Sequence, residues 1–212
     1  MSGGGNGPTN KLAVETVVVL LSTGCDAGSG GATTLNTSVN TLTALVTGSG
    51  AALTVNEADS LTLTSVTTNN ANLTVNASQA ASGDITLIDV NAGTGRVTLV
   101  TTANGGGQII DGDTIDSATT ADITAGEIDL QAGTGIGNTN KLEVATTSFA
   151  ATTATGDINV RDVSGDLTIA ALAGGTSGVS ITAGNSGDDI CITTVGALTV
   201  DANVSNTGSG DR

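Results

Sequence analysis

Aromatic rings are almost missing from this chain: it has no Trp, no Tyr and a single Phe. An ordinary globular core leans on such rings, so a core here has to be built from Leu, Ile, Val and Ala. Histidine is absent, and the only two cysteines, Cys25 and Cys191, form no CxxC. That removes the usual ligands of a zinc site and the commonest general base. The cysteines stand far apart and read as two separate thiols rather than a disulfide. Basic residues are scarce, five Lys and Arg against twenty Asp and Glu, for a net charge of −15. Nucleic acid and anionic membrane surfaces need basic patches and are excluded as partners. The acidic excess serves either solubility through self-repulsion or the binding of divalent cations.

Long hydrophobic runs are missing too. Val17, Val18, Val19, Leu20 and Leu21 form an apolar segment far too short to span a bilayer. LSTGC at Leu21–Cys25 loosely resembles a lipoprotein processing site, yet no Lys or Arg precedes Lys11, and Glu15 interrupts the would-be apolar segment. The β-branched content of Val17–Leu21 reads instead as a buried strand. Proline occurs once, and helix signals, apolar residues at three- and four-residue spacing with caps, are nearly absent.

What the chain does have is glycine, threonine and a period of two. There are 31 Gly, and 38% hydrophobic with 12% charged residues argues against disorder. Apolar-x-apolar doublets recur: Leu53/Val55, Leu61/Leu63, Leu73/Val75, Ile85/Leu87, Val97/Leu99, Ile128/Leu130, Leu142/Val144, Ile158/Val160, Leu167/Ile169, Val179/Ile181, Ile190/Ile192 and Leu198/Val200. Period two puts each pair on one face of a strand and the residue between, often Thr, on the other. Gly, Asn or Asp near each doublet supplies the turns. Short, even strands, glycine-rich corners and uniformly small core residues predict an all-β parallel β-solenoid of about ten coils, each of roughly 20–24 residues. The expected organisation is a flexible segment over 1–10, the solenoid over 11–204 and a tail over 205–212. A longer echo of roughly 106 residues relates Leu35 to Leu142, Leu53 to Ile158, Leu61 to Leu167, Leu73 to Val179 and Ile85 to Ile190. It suggests two copies, at about 28–134 and from 135 onward. A rival register links TNKLAV at 9–14 with TNKLEV at 139–144.

SGDITLIDV at Ser82–Val90, TGDINVRDVSGDLTIAAL at Thr155–Leu172 and AGTGIGNTNKLEV at Ala132–Val144 together resemble the filamentous-haemagglutinin-like repeats of large bacterial surface adhesins secreted by the two-partner pathway. The likeness covers most of residues 30–204. It implies a right-handed β-helix and an extracellular or cell-surface life in bacteria.

Candidate chemistry is sparse. DGDTID places Asp111, Asp113 and Asp116 within six residues beside a glycine, an oxygen-rich turn of the sort Ca²⁺ prefers. Bare Asp-rich turns are the competing reading, and Asp188–Asp189 is a second acidic pair. Some right-handed β-helices cleave polysaccharides with Asp beside Arg. Here Arg96 and Arg161 could pair with Asp89, Asp162 or Asp166, but no GxSxG elbow is present, and surface ion pairs explain these residues. GTGIGN at Gly133–Asn138 superficially resembles a phosphate loop but lacks a following helix. Thr-x-Thr, the pattern of some ice-binding solenoids, occurs at Thr41–Thr43 and Thr62–Thr64 but not in every coil.

The sequence therefore leads to a non-enzymatic extracellular structural protein. It is either a self-stacking fibre or stalk subunit, or an adhesin segment displaying a surface to glycans or other ligands. In the first case the partner is a second copy, joined head to tail, with Val17–Leu21 as the joining element.

Overall fold

The computed structural model describes residues 14–21, 31–77, 83–102, 106–113, 117–137 and 140–207. All regular structure among them is β, and no helix is long and apolar enough to cross a membrane. One sheet contains β1 (Val14–Leu21), β3 (Val39–Val46), β5 (Leu61–Thr68), β7 (Ile85–Leu87), β8 (Val90–Asn91), β10 (Ile109–Asp111), β11 (Ile123–Thr124), β13 (Leu142–Ala145), β15 (Ile158–Asp162) and β18 (Ile190–Thr194). We call it sheet A. Sheet B contains β2 (Thr33–Thr37), β4 (Leu53–Glu57), β6 (Leu73–Asn76), β9 (Arg96–Val100), β12 (Glu127–Ala132), β14 (Ser148–Thr153), β16 (Leu167–Ile169), β17 (Val179–Ile181), β19 (Leu198–Val200) and β20 (Val204–Asn206). Strands pair in parallel with the coil before and the coil after, and the chain winds between the sheets as a β-solenoid of about seven turns.

The doublets make this winding possible, because every turn presents the same inward code. In sheet B, Leu53, Leu73, Val97, Ile128, Phe149, Ile169 and Val200 stack in one register column. In sheet A the matching column is Leu61, Ile85, Ile109, Ile136, Ile158 and Ile190. Ten of the twelve doublets are buried at both positions. Each aliphatic side chain so buried contributes about 1.5–3 kcal/mol of gross hydrophobic free energy. Phe149 is wholly buried and sits between Ile128 and Ile169, with the small Ala150 and Ala151 following it. The exceptions lie at one end: Ile190 and Ile192 are half-buried, while Leu198 and Val200 are exposed, because no later coil covers them among the described residues.

The expected count of about ten coils is not met, because coil length is not constant. Leu53 pairs with Leu73, Val97 with Ile128 and Leu142 with Val160, so a turn takes 20 residues in one place, 31 in another and 18 in a third. The long turns carry extra loops. The 106-residue echo is followed only in part: Leu73 and Val179 share sheet B, and Ile85 and Ile190 share sheet A, but three other pairs change sheet. Leu35 and Leu53 lie in sheet B but their counterparts Leu142 and Ile158 in sheet A, and Leu61 in sheet A answers to Leu167 in sheet B. A doublet works on either sheet, so the echo does not keep one register through the stack. The rival register begins outside the described residues.

Corners are closed by polar groups tied to the turns. Thr68, Thr101 and Thr153, at or just beyond strand ends, donate their hydroxyls to the carbonyls of Ala71, Gly107 and Gly156 across the bend, and Thr194 donates to the Gly165 carbonyl one coil earlier. Other side chains stitch one coil to the next. Asn72 Oδ1 accepts from Arg96 N (2.9 Å), Asp84 Oδ1 from Gln108 N (2.8 Å), Asp157 Oδ1 from Asp189 N (2.8 Å) and Asp166 Oδ1 from Ala197 N (2.8 Å). The SGD and TGD motifs thus have a mechanical meaning: the Asp before a strand receives the amide that opens the same strand one coil later. Gly178 shows how tight the corners are, since at φ +72° a Cβ there would lie 2.0 Å from the Asn203 carbonyl oxygen.

Candidate functional site

The longest insertion described in sheet A joins β10 to β11 and carries the acidic motif. Asp111 closes β10 in an inward position opposite Leu87 and is 6% exposed. Its Oδ1 accepts from Asp113 N at 2.8 Å, which bends the chain away from the sheet. Asp122, at the far end of the insertion, precedes β11 and is 3% exposed. Its Oδ2 accepts from Glu143 N at 2.9 Å. Carboxylate oxygens of Asp111, Asp113 and Asp122 all lie within 4.8 Å of one another. Asp116, expected as the third member, lies outside the described residues. Among the described residues Asp122 completes the group of three, and a six-residue window could not have shown this, because Asp122 lies eleven positions beyond Asp111.

Glu143 stands beside the cluster. It points outward from β13, yet only 1% of it is exposed. Arg161, one coil later in the same register column, approaches Glu143 Oε1 at 3.8 Å and donates to the Ser117 carbonyl at 3.2 Å. The insertion is thereby tied down over the outer face. Burial drives the Asp122 carboxyl up to about 8, and the charges of Asp111, Glu143 and Asp113 push the same way against the hydrogen bond from Glu143 N. At neutral pH the cluster therefore holds a proton. The arrangement offers several oxygens at short range, in a place where their mutual repulsion is relieved by either a proton or a cation.

The other acidic residues serve turns. Asp188 Oδ2 accepts from Asn185 N (2.7 Å) and Gly156 N (2.9 Å), which holds its carboxyl below the usual range. Asp162 is wholly buried and accepts from Ser164 and Gly165 amides and from the Ser164 and Thr194 hydroxyls. Glu57, also wholly buried, accepts from Val39 N and Ala58 N. The expected partners of the arginines are corrected: Arg96 pairs with Glu127 at 2.5 Å and Arg161 faces Glu143, whereas Asp89 receives the Ser65 hydroxyl. Cross-coil registry decides these pairs, and sequence distance does not.

The apolar segment forms β1, the outermost strand of sheet A, with Val17 opposite Leu42 and Leu21 opposite Val46. Val17 packs against the core, but Val18 is 66% exposed, so this part of the strand is not buried as expected. An edge strand of a solenoid has a core on one side only. Cys25 lies outside the described residues, and Cys191 is a free, exposed thiol. The Thr-x-Thr at Thr62–Thr64 is broken by a bulge, since the pairing shifts between Leu42 and Thr43. No family model, curated protein or solved structure matches the chain.

Proposed function

We propose that the chain is a non-enzymatic structural rod of the bacterial cell surface, a solenoid segment that stacks on further copies of itself. One observation carries the reading. The inward columns run through the stack and surface at its end as Leu198, Val200 and Val204, 44%, 56% and 42% exposed, directly below buried Leu167, Ile169 and Val179. Such a face is complementary to another parallel coil, because the strands above it already pair in that way. At the other end β1 and β2 are the outermost strands of sheets A and B. Joining β18 of one copy to β1 of the next, and β19 and β20 to β2, keeps each sheet continuous. The contact is heterologous and grows as a fibre rather than closing on itself. The abundance of outward Thr suits an exposed fibre. Electron microscopy of the purified chain is expected to show filaments, and deletion of residues 1–24 to return short rods of monomer mass. Full-length protein that stays monomeric at high concentration sinks the fibre and leaves a stalk or adhesin segment.

The cluster of Asp111, Asp113 and Asp122 supports a second element of the reading, a Ca²⁺ that pins the insertion to the rod. Added Ca²⁺ is expected to raise the melting temperature by mass action. Asp111→Asn combined with Asp113→Asn should abolish the rise. An unchanged melting temperature at millimolar Ca²⁺ assigns the cluster to a shared proton alone.

A further inference from the structure

Residues 170–178, between β16 and β17, fold back onto the outer face of sheet B. Ala171 and Ser177 form an antiparallel bridge, the Thr176 amide donates to Asp129 Oδ2 at 3.2 Å, and the Ala173 carbonyl accepts from Arg96 Nη1 at 2.9 Å. A Cβ at Gly175 would lie 2.3 Å from Asp129 Oδ2, so a larger residue there has to displace that carboxylate or the segment. The segment forms one wall of a cleft of about 460 Å³, within the span of about 300–1,000 Å³ usual for small-ligand sites. The floor is the outward register column Arg96, Glu127 and Ser148, flanked by Asn72.

The lining is polar, where small-ligand clefts are usually apolar. Arg96 is held rigid: its Nε donates to Glu127 Oε2 at 2.7 Å, its Nη1 to Ala173, and its amide to Asn72 Oδ1 at 2.9 Å. That leaves the Asn72 amide nitrogen, the Ser148 hydroxyl and Glu127 Oε1, none of which hydrogen-bonds another described residue. Donors and acceptors alternate across a short distance. Hydroxyl groups, which both donate and accept, match such a surface. An apolar ligand finds nothing to bury. An anion finds the guanidinium already neutralised by Glu127 and a chain of net charge −15. Stacking is unavailable, since the one aromatic ring, Phe149, is wholly buried.

We propose that this cleft binds a neutral saccharide residue through hydrogen bonds alone, with millimolar affinity. The site is independent of stacking, and a rod that carries it presents one copy per subunit, so a weak single contact becomes strong when many are tethered. Saturation-transfer NMR observed on the sugar works equally for monomers and filaments. The probes are the methyl glycosides of glucose, galactose, mannose and N-acetylglucosamine, with glucuronate as the anionic counterpart. Transfer is expected to at least one neutral probe and to be weaker for glucuronate. Ser148→Ala, at an outward position, should weaken binding about fivefold or more by removing one hydrogen bond. Gly175→Val should abolish it by lifting the wall off Asp129. Absence of transfer to every neutral probe overturns the proposal. So does transfer equal in both variants, or stronger for glucuronate. Microscopy of filaments reads the structural rod separately, so either can fail without the other.

Discussion

Residues 33–100 and residues 109–181 use the same inward code and opposite outer faces. In the first region the turns keep between 20 and 24 residues, and the outward positions repeat: Thr34, Thr54, Thr74 and Thr98 form one column, and Asn36, Asn56 and Asn76 another. In the second region the Thr column of sheet B runs on into Asp129, outward places of sheet A hold Glu143 and Arg161, and Ser117 and Thr176 are bonded to Arg161 and Asp129. The inward columns do not register the change, because Leu99 and Leu130 are equally and wholly buried. The difference teaches a division of labour. Burial inside fixes the winding, while the outside is free to acquire loops and charge wherever a corner can be lengthened without disturbing the column beneath.

The largest expected effect tests that division directly. Leu87→Asp buries an unpaired charge in the inward column and is expected to cost at least about 4 kcal/mol. Thr86→Asp, one residue away and outward, should cost about 1 kcal/mol or less. Chemical denaturation of the two variants checks it, and similar midpoints would refute the inward and outward assignment. Next in size is a contrast along one column. Leu167 is wholly buried and Leu198, its partner one coil later, is 44% exposed. Leu167→Ala should cost about 2–5 kcal/mol, and Leu198→Ala less than about 1 kcal/mol in the monomer. If Leu198→Ala proves as costly at low protein concentration, something other than a second copy already covers that end.

The inward half of the structure was legible because it depends on neighbours two residues apart. Ile85/Leu87 can be assigned without knowing what lies above or below. The acidic cluster was legible only in part. Asp111 and Asp113 announce a turn, but Asp122 joins them from eleven positions beyond Asp111, and Arg161 bonds Ser117 from 44 residues away. The buried state of Glu143 has no local signal either, since a lone Glu between Leu142 and Val144 reads as an ordinary outward residue. The coil count failed for the same reason: nothing local in Gly112–Ala121 or Ala170–Gly178 distinguishes a lengthened corner from an additional coil.

A smaller effect separates the regions by pH. Asp122 is neutral in the folded chain up to about pH 8, whereas an unfolded Asp ionises near about pH 3.9. Between those values the folded state binds the extra proton, so the Asp122 contribution to stability is full below the unfolded value and is lost as pH rises through the folded one. Asp122→Asn is expected to flatten this slope, leaving the variant relatively more stable at pH 8 than at pH 5 when each is compared with the parent chain. Thermal melts across that window measure it. A parallel pair of curves would show that the cluster is ionised throughout. The same measurement on Thr86→Val, in the regular region and away from the cluster, should leave the slope unchanged.

The smallest expected effect belongs to the regular region. Asn56 donates to Asn36 Oδ1 at 2.9 Å and accepts from Asn76 Nδ2 at 2.9 Å, on a face open to water. Solvent replaces much of what such bonds supply, so Asn56→Ala should cost about 1 kcal/mol, and Asn36→Ala, which breaks one bond instead of two, about half of that. The ladder stops at Val100, which faces Asn76 in the next coil. Val100 is partly exposed and outward, so Val100→Asn can extend the ladder by one rung without touching the core. If side-chain ladders help to keep successive coils in register, this substitution should offset its own loss of strand propensity and leave the denaturation midpoint within about 0.5 kcal/mol of the parent. A clear loss would mean that the Asn column is tolerated on the outer face rather than selected for holding it, and that the Thr and Asn columns differ from the charged face only in carrying no loops.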